Sequence, residues 1–122
     1  MDTVNAKEPA ILVDWDDVHD WDAYADWLAK RQKNVKIVLL VSNPQEHDFE
    51  YNGLRFEPDV VLRNSLKAPM PDLLFKTTAV VTIQESSNLV PVIGVDDSGA
   101  VREMYDDAGV VLTLDSTDLV NL

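Results

Sequence analysis

Apolar and polar positions fall into blocks along the chain, with short apolar runs alternating with stretches of helical spacing. "AILVD" (10–14) is an unbroken apolar run closed by an acid, the pattern of a strand buried on both faces. Residues 21–33 predict a helix: Asp20 is placed to cap it, and Trp21, Tyr24, Ala25 and Leu28 share one face. "VKIVLLV" (35–41) is a second, β-branched strand, ended by Ser42-Asn43-Pro44. Residues 43–57 are polar and read as a loop with room for a small hairpin, and "DVVL" (59–62) is a third short strand.

Pro69 and Pro71 mark the start of a second helix, because proline suits a first helical turn. It runs to about Ser86, with Leu73, Leu74, Thr77, Val80 and Val81 expected inward. "VPVIGV" (90–95) is the fourth strand, with Pro91 tolerable near its start. Ser98 caps a third helix, where Val101, Met104, Tyr105 and Ala108 form the i, i+3, i+4, i+7 stripe. Gly109 stops that helix, and "VVLTL" (110–114) is the fifth strand. Strands alternating with helices predict an α/β fold. The expected form is a three-layer α/β/α sandwich around a five-stranded, mostly parallel sheet, in one domain spanning 1–122.

Composition narrows this little. At 46% hydrophobic and 26% charged residues the chain is an ordinary globular protein. No apolar run reaches the ~20 residues of a membrane span, and "MDTVNAKEP" lacks the layout of a signal peptide. Cysteine is absent, so thiolate metal sites and disulfides are excluded, and a cytoplasmic protein is the expectation. The net charge of −12 changes the picture more: it repels nucleic acid at long range, and no broad basic patch offsets it. An excess of acid on this scale fits a salt-rich habitat and a viral protein in a host cytoplasm equally.

In parallel sheets ligands bind beyond the carboxyl ends of the strands. Asp14 and Asp16 follow the first strand, Ser42 and Asn43 the second, and Asp96 and Asp97 the fourth, while the second helix brings Lys76. Clustered carboxylates are costly unless a cation neutralises them. With oxygen ligands alone that cation is hard, and Mg2+ fits. A carboxylate beside the metal can attack phosphorus, and a second can protonate the leaving oxygen. A hydroxyl and a lysine would stabilise the phosphoryl oxygens.

These residues resemble the motifs of the haloacid dehalogenase-like (HAD) phosphohydrolases, in order "ILVDWDDV", "VLLVSNP", "DLLFK" and "VIGVDD". Residues 72–110 are further similar to the 3'-phosphatase domain of polynucleotide kinase-phosphatases, especially phage-type ones. The resemblance implies a Rossmannoid, capless fold and Mg2+-dependent phosphatase activity through an aspartyl-phosphate, on nucleic-acid 3'-phosphate ends or nucleotides. It makes Asp14 the nucleophile and Asp16 the general acid/base, whose backbone carbonyl also binds the metal. Ser42, with Asn43, would hold phosphate. Lys76, with Lys67 as rival, would be the third-motif lysine. Asp96 would be a metal ligand and Asp97 a partner of the metal or its water. The span from Asp16 to Ser42 is too short for a cap domain, which the resemblance ties to large substrates or to a neighbouring subunit acting as lid.

Two positions depart from the pattern. Asp17-Val18 stands where the family has Gly-Thr, adding negative charge at the substrate's entry, and Ser98 stands where the polynucleotide group has arginine. Each motif alone also has an ordinary explanation as a turn, a cap or a surface lysine. His19 and His47 are isolated, and Val18 breaks an EF-hand reading. A receiver domain is the wrong fit, because no lysine follows the fifth strand. A catalytically silent domain of the same fold, serving binding or assembly, is the alternative that Asp17 favours.

Overall fold

A computed structural model describes residues 7–14, 21–42, 57–116 and 118. Its elements in chain order are β1 (Glu8–Asp14), α1 (Trp21–Arg31), β2 (Lys36–Val41), β3 (Val60–Arg63), α2 (Asp72–Ser86), β4 (Leu89–Val95), α3 (Gly99–Asp107) and β5 (Leu112–Leu114). The five strands form one sheet in the order β3-β2-β1-β4-β5, and every pairing is parallel. This is a Rossmann-like α/β sandwich, and the sheet expected to be mostly parallel is wholly so among the described residues.

Side chains alternate across a strand, so each face of β1 and β2 meets a different layer. Ile11, Val13, Ile37 and Leu39 pack with Tyr24, Ala25, Trp27 and Leu28 of α1. Ala10, Leu12, Val38 and Leu40 pack on the other face with Phe75, Ala79, Val80 and Ile83 of α2 and with Val101 and Tyr105 of α3. Burial on both faces is what makes these strands apolar without interruption.

The face of α2 differs from expectation. Val80 is buried, but Leu73, Leu74 and Val81 are 43%, 51% and 43% exposed and Thr77 is half-buried. The buried stripe is instead Phe75, Lys76, Ala79, Val80 and Ile83. A lysine holds the inward position, and that rotates the helix away from the face hydrophobicity alone selects. β5 is also shorter than expected. The Val110 N–H donates to the Tyr105 carbonyl at 3.0 Å and so closes α3 rather than joining the sheet. Gly109, with φ of 92°, makes that turn possible.

β4 carries two local features. Its register against β1 shifts by one residue between Ala10, opposite Pro91, and Ile11, opposite Ile93, so Val92 is the extra residue of a bulge beside a proline that cannot donate. Gly94 lies under the ring of Tyr105, and a Cβ there would sit 2.3 Å from Tyr105 Cδ2. Tyr105 is fully buried and has little room to yield. Gly94→Ala is therefore expected to cost about 2–3 kcal/mol by overpacking, read from urea denaturation; a loss below ~0.5 kcal/mol would mean that α3 slides freely over the sheet.

Candidate active site

The same alternation aims the site residues. Asp14 follows Ala10 and Leu12 onto the α2 face, and Ser42 follows Val38 and Leu40. Asp96 lies two residues beyond Gly94, the position on which Tyr105 of α3 packs. Registers level them: Asp14 lies opposite Leu40, and Val13 opposite Val95. β1 and β4 are neighbours although the chain visits β2 and β3 between them, so the crevice at their carboxyl ends is the switch point of the sheet.

Lys76 enters this crevice from α2. Its Nζ donates to Asp14 Oδ1 at 3.0 Å and to Asp96 Oδ2 at 2.6 Å, and pairs with Asp72 Oδ1 at 3.0 Å. The side chains of Lys76, Asp14 and Asp96 are 2%, 2% and 0% exposed, while Asp72 is 45% exposed. Ligand oxygens of Asp14, Asp96 and Asp97 all lie within 4.8 Å of one another, with Asp97 exposed. Lys67, the rival lysine, is exposed in the loop before α2. Asp16 and Asn43 lie outside the described residues, as do Trp15 and Asp17.

Three carboxylates thus face one ammonium, with Asp97 close by. Burial pushes the Asp96 carboxyl above its ordinary value, against the pull of Lys76 and of the Ser98 N–H, which donates to Oδ1 at 2.9 Å. Burial disfavours the Lys76 charge, but Asp14 and Asp96 outweigh it and hold that pKa above the lysine range. Both shifts make stability fall as pH rises, each in its own window. With Asp96 raised, the native state binds more protons than the unfolded state between the unfolded and folded values, so stability falls as pH rises through that window. With Lys76 raised, stability is present below its unfolded value and is lost as pH climbs through the folded one.

Two further residues brace the site, and sequence reasoning missed both. Arg102 Nη1 donates to the Asp96 carbonyl at 2.9 Å and pairs with Asp115 at 3.4 Å. Asn64, 5% exposed, follows β3 and ties the crevice edge to the loop that leads into α2. Its Nδ2 donates to the Ser42 carbonyl at 2.9 Å and the Met70 carbonyl at 2.7 Å. Its Oδ1 accepts from the N–H groups of Ser65 and Met70, both at 2.9 Å. A lone Asn after a strand reads as a turn residue, and only its position between two loops distinguishes it. Asn64→Ala strands these buried groups and is expected to cost about 2–3 kcal/mol. Thermal and urea unfolding check this, and an unchanged midpoint would assign the loop to other contacts.

Tyr24 donates to the Asp14 carbonyl at 3.4 Å, and burial, with Asp14 next in effect, pushes its phenol well up. The Tyr105 hydroxyl is buried with no partner among the described residues, and burial followed by the Asp96 charge raises its pKa as well. No described helix is long and apolar enough to cross a membrane. Comparison with protein-family models, with curated proteins and with solved structures finds no match to this chain.

Proposed function

We propose that the chain is a Mg2+-dependent phosphohydrolase acting through an aspartyl-phosphate, with a nucleotide or a nucleic-acid 3'-phosphate end as substrate. The observation that carries this reading is the buried Asp14–Lys76–Asp96 cluster at the switch point, in which a single ammonium is shared among Asp14, Asp72 and Asp96. Oxygen donors of Asp14, Asp96 and Asp97 at close range suit a hard divalent cation, and the excess negative charge is what such an ion would offset. When bound, Mg2+ would supply charge neutralisation and orientation of the phosphoryl group.

The protein's own groups do the rest. Lys76 fixes the Asp14 carboxylate, the oxygen nucleophile of this reading. Asp14 attacks phosphorus, and the bond from phosphorus to the leaving oxygen breaks. Asp16 gives that oxygen its proton and then takes one from the water that attacks the acyl phosphate, releasing phosphate and restoring Asp14. Ser42, at the end of β2, and Asn43 after it would donate to the phosphoryl oxygens. The reading shares its residue order with the HAD pattern, and departs from it at Asp17.

Isothermal titration of Mg2+ into the protein and into Asp96→Asn tests it, with phosphate release from 3'-phosphorylated oligonucleotides, nucleotides and p-nitrophenyl phosphate. We expect binding in the wild type, at least tenfold weaker binding in Asp96→Asn, and turnover only in the wild type. No Mg2+ binding at millimolar concentration and no release would instead support a catalytically silent domain.

A further inference from the structure

Arg102 is the one basic residue between positions 77 and 122, a stretch that holds eight acidic residues. With that many carboxylates to choose from, what it touches is informative. It stands near the start of α3, where the positive end of the helix dipole disfavours a cation, while Asp106 and Asp107 stand at the end that disfavours an acid. The electrostatics of the helix itself therefore do not account for Arg102. Its contacts outside the helix do.

The guanidinium reaches back past the helix start. Nη1 donates to the Asp96 carbonyl at 2.9 Å and lies 3.4 Å from Asp115 Oδ2. The Asp96 N–H donates to the Leu114 carbonyl at 3.0 Å. The end of β5 thus grips the main chain of Asp96 on both sides, directly through Leu114 and by way of Asp115 and Arg102. The Asp96 carbonyl belongs to the rigid peptide plane that leads into Asp97, so fixing this oxygen fixes the direction in which Asp97 sets out.

The Asp96 side chain has little need of such help, because Lys76 and the Ser98 N–H already hold both of its carboxylate oxygens. Asp97 is different. It is exposed, and its carboxylate accepts no hydrogen bond from a described residue. Even so, one of its oxygens lies within 4.8 Å of those of Asp14 and Asp96. Its main chain is what holds it there.

We infer that Arg102 is a positioning residue for the divalent site: by holding the Asp96–Asp97 peptide it presets the exposed Asp97 as a ligand, and Asp115 holds Arg102 in turn. This rests on the Mg2+ reading above and adds to it a residue that no motif singles out. A ligand set in place by its main chain needs no reordering when the ion arrives.

Isothermal titration of Mg2+ alone into the full chain tests the role, beside thermal melts of the metal-free protein. Arg102→Met should weaken Mg2+ binding about tenfold, while the metal-free melting temperature stays within ~4 °C of the wild type. Arg102→Lys, whose ammonium still offers the carbonyl a donor, should recover most of the affinity. Asp115→Asn, which loosens the guanidinium and leaves Arg102 in place, should weaken binding by a smaller factor. In an Asp97→Asn background Arg102→Met should cost nothing further, because the ligand it presets is gone. Equal affinity in the wild type and Arg102→Met would overturn the inference and leave the Mg2+ reading standing, and so would losses from Arg102→Met and Asp97→Asn that simply add. A wild type that takes up no Mg2+ at millimolar concentration would overturn both.

Discussion

Lys76→Met is expected to lower the stability of the domain by about 3–5 kcal/mol, because it leaves buried carboxylates without their cation. Methionine is close to the length of the stem and carries no charge, so the loss isolates the charge. Asp14 and Asp96 are each at most 2% exposed on their side chains, so Lys76 rather than solvent balances their charge. The deficit should shrink as pH falls, since protonating the carboxylates removes the charge that Lys76 balanced. Lys67→Met, at an exposed position, should stay within about 0.5 kcal/mol. Urea denaturation at several pH values measures all of this. A loss under ~1 kcal/mol for Lys76→Met, independent of pH, would mean that the carboxylates are hydrated in the native state.

Asp14→Asn should reduce phosphate release by at least ~10³-fold, because an amide oxygen is not a nucleophile toward phosphorus at neutral pH. Its effect on folding should have the opposite sign. The variant removes one negative charge from a cluster with a single ammonium, and the amide oxygen still accepts from Lys76. Without divalent cation its melting temperature should equal or exceed that of the wild type. An inactive but well-folded protein is thus the expected result, from an assay and a melt on the same sample. Retained turnover would remove Asp14 as the nucleophile, and inactivity through unfolding would leave its role open to the fold alone.

How much of this was legible in the sequence depends on what each residue answers to. The strand ends were readable, because unbroken apolar runs closed by Asp14, Ser42 and Asp96 answer to burial on both faces of a sheet. The stripe of α3 was readable too: Val101 and Tyr105 are buried and Met104 and Ala108 half-buried, as spacing alone suggests. α2 was misread because its inward face includes Lys76, a residue whose place is decided by carboxylates from other strands. Periodicity ranks lysine as an outward residue, so it selected Leu73, Leu74 and Val81. Asn64 was invisible for a related reason. Its role lies in joining Ser42 to Met70, a contact between loops that no local pattern encodes. Asp72, which opens the "DLLFK" stretch, pairs with Lys76 at the i,i+4 spacing that helical periodicity alone allows.

The extra residue at Val92 has a bearing on how this strand tolerates change in length. Before it, β1 and β4 pair as Glu8 with Leu89; after it, as Val13 with Val95. The bulge therefore absorbs an odd residue and sets the parity of everything downstream. Losing Val92 would leave both ends of β4 in their present pairings. Losing a residue between Ile93 and Val95 would turn Asp96 to the face of α1, away from Lys76, and would bring Asp97 inward in its stead. The strand thus contains one site where a deletion is silent, followed by positions where it would exchange the buried Asp96 for its neighbour.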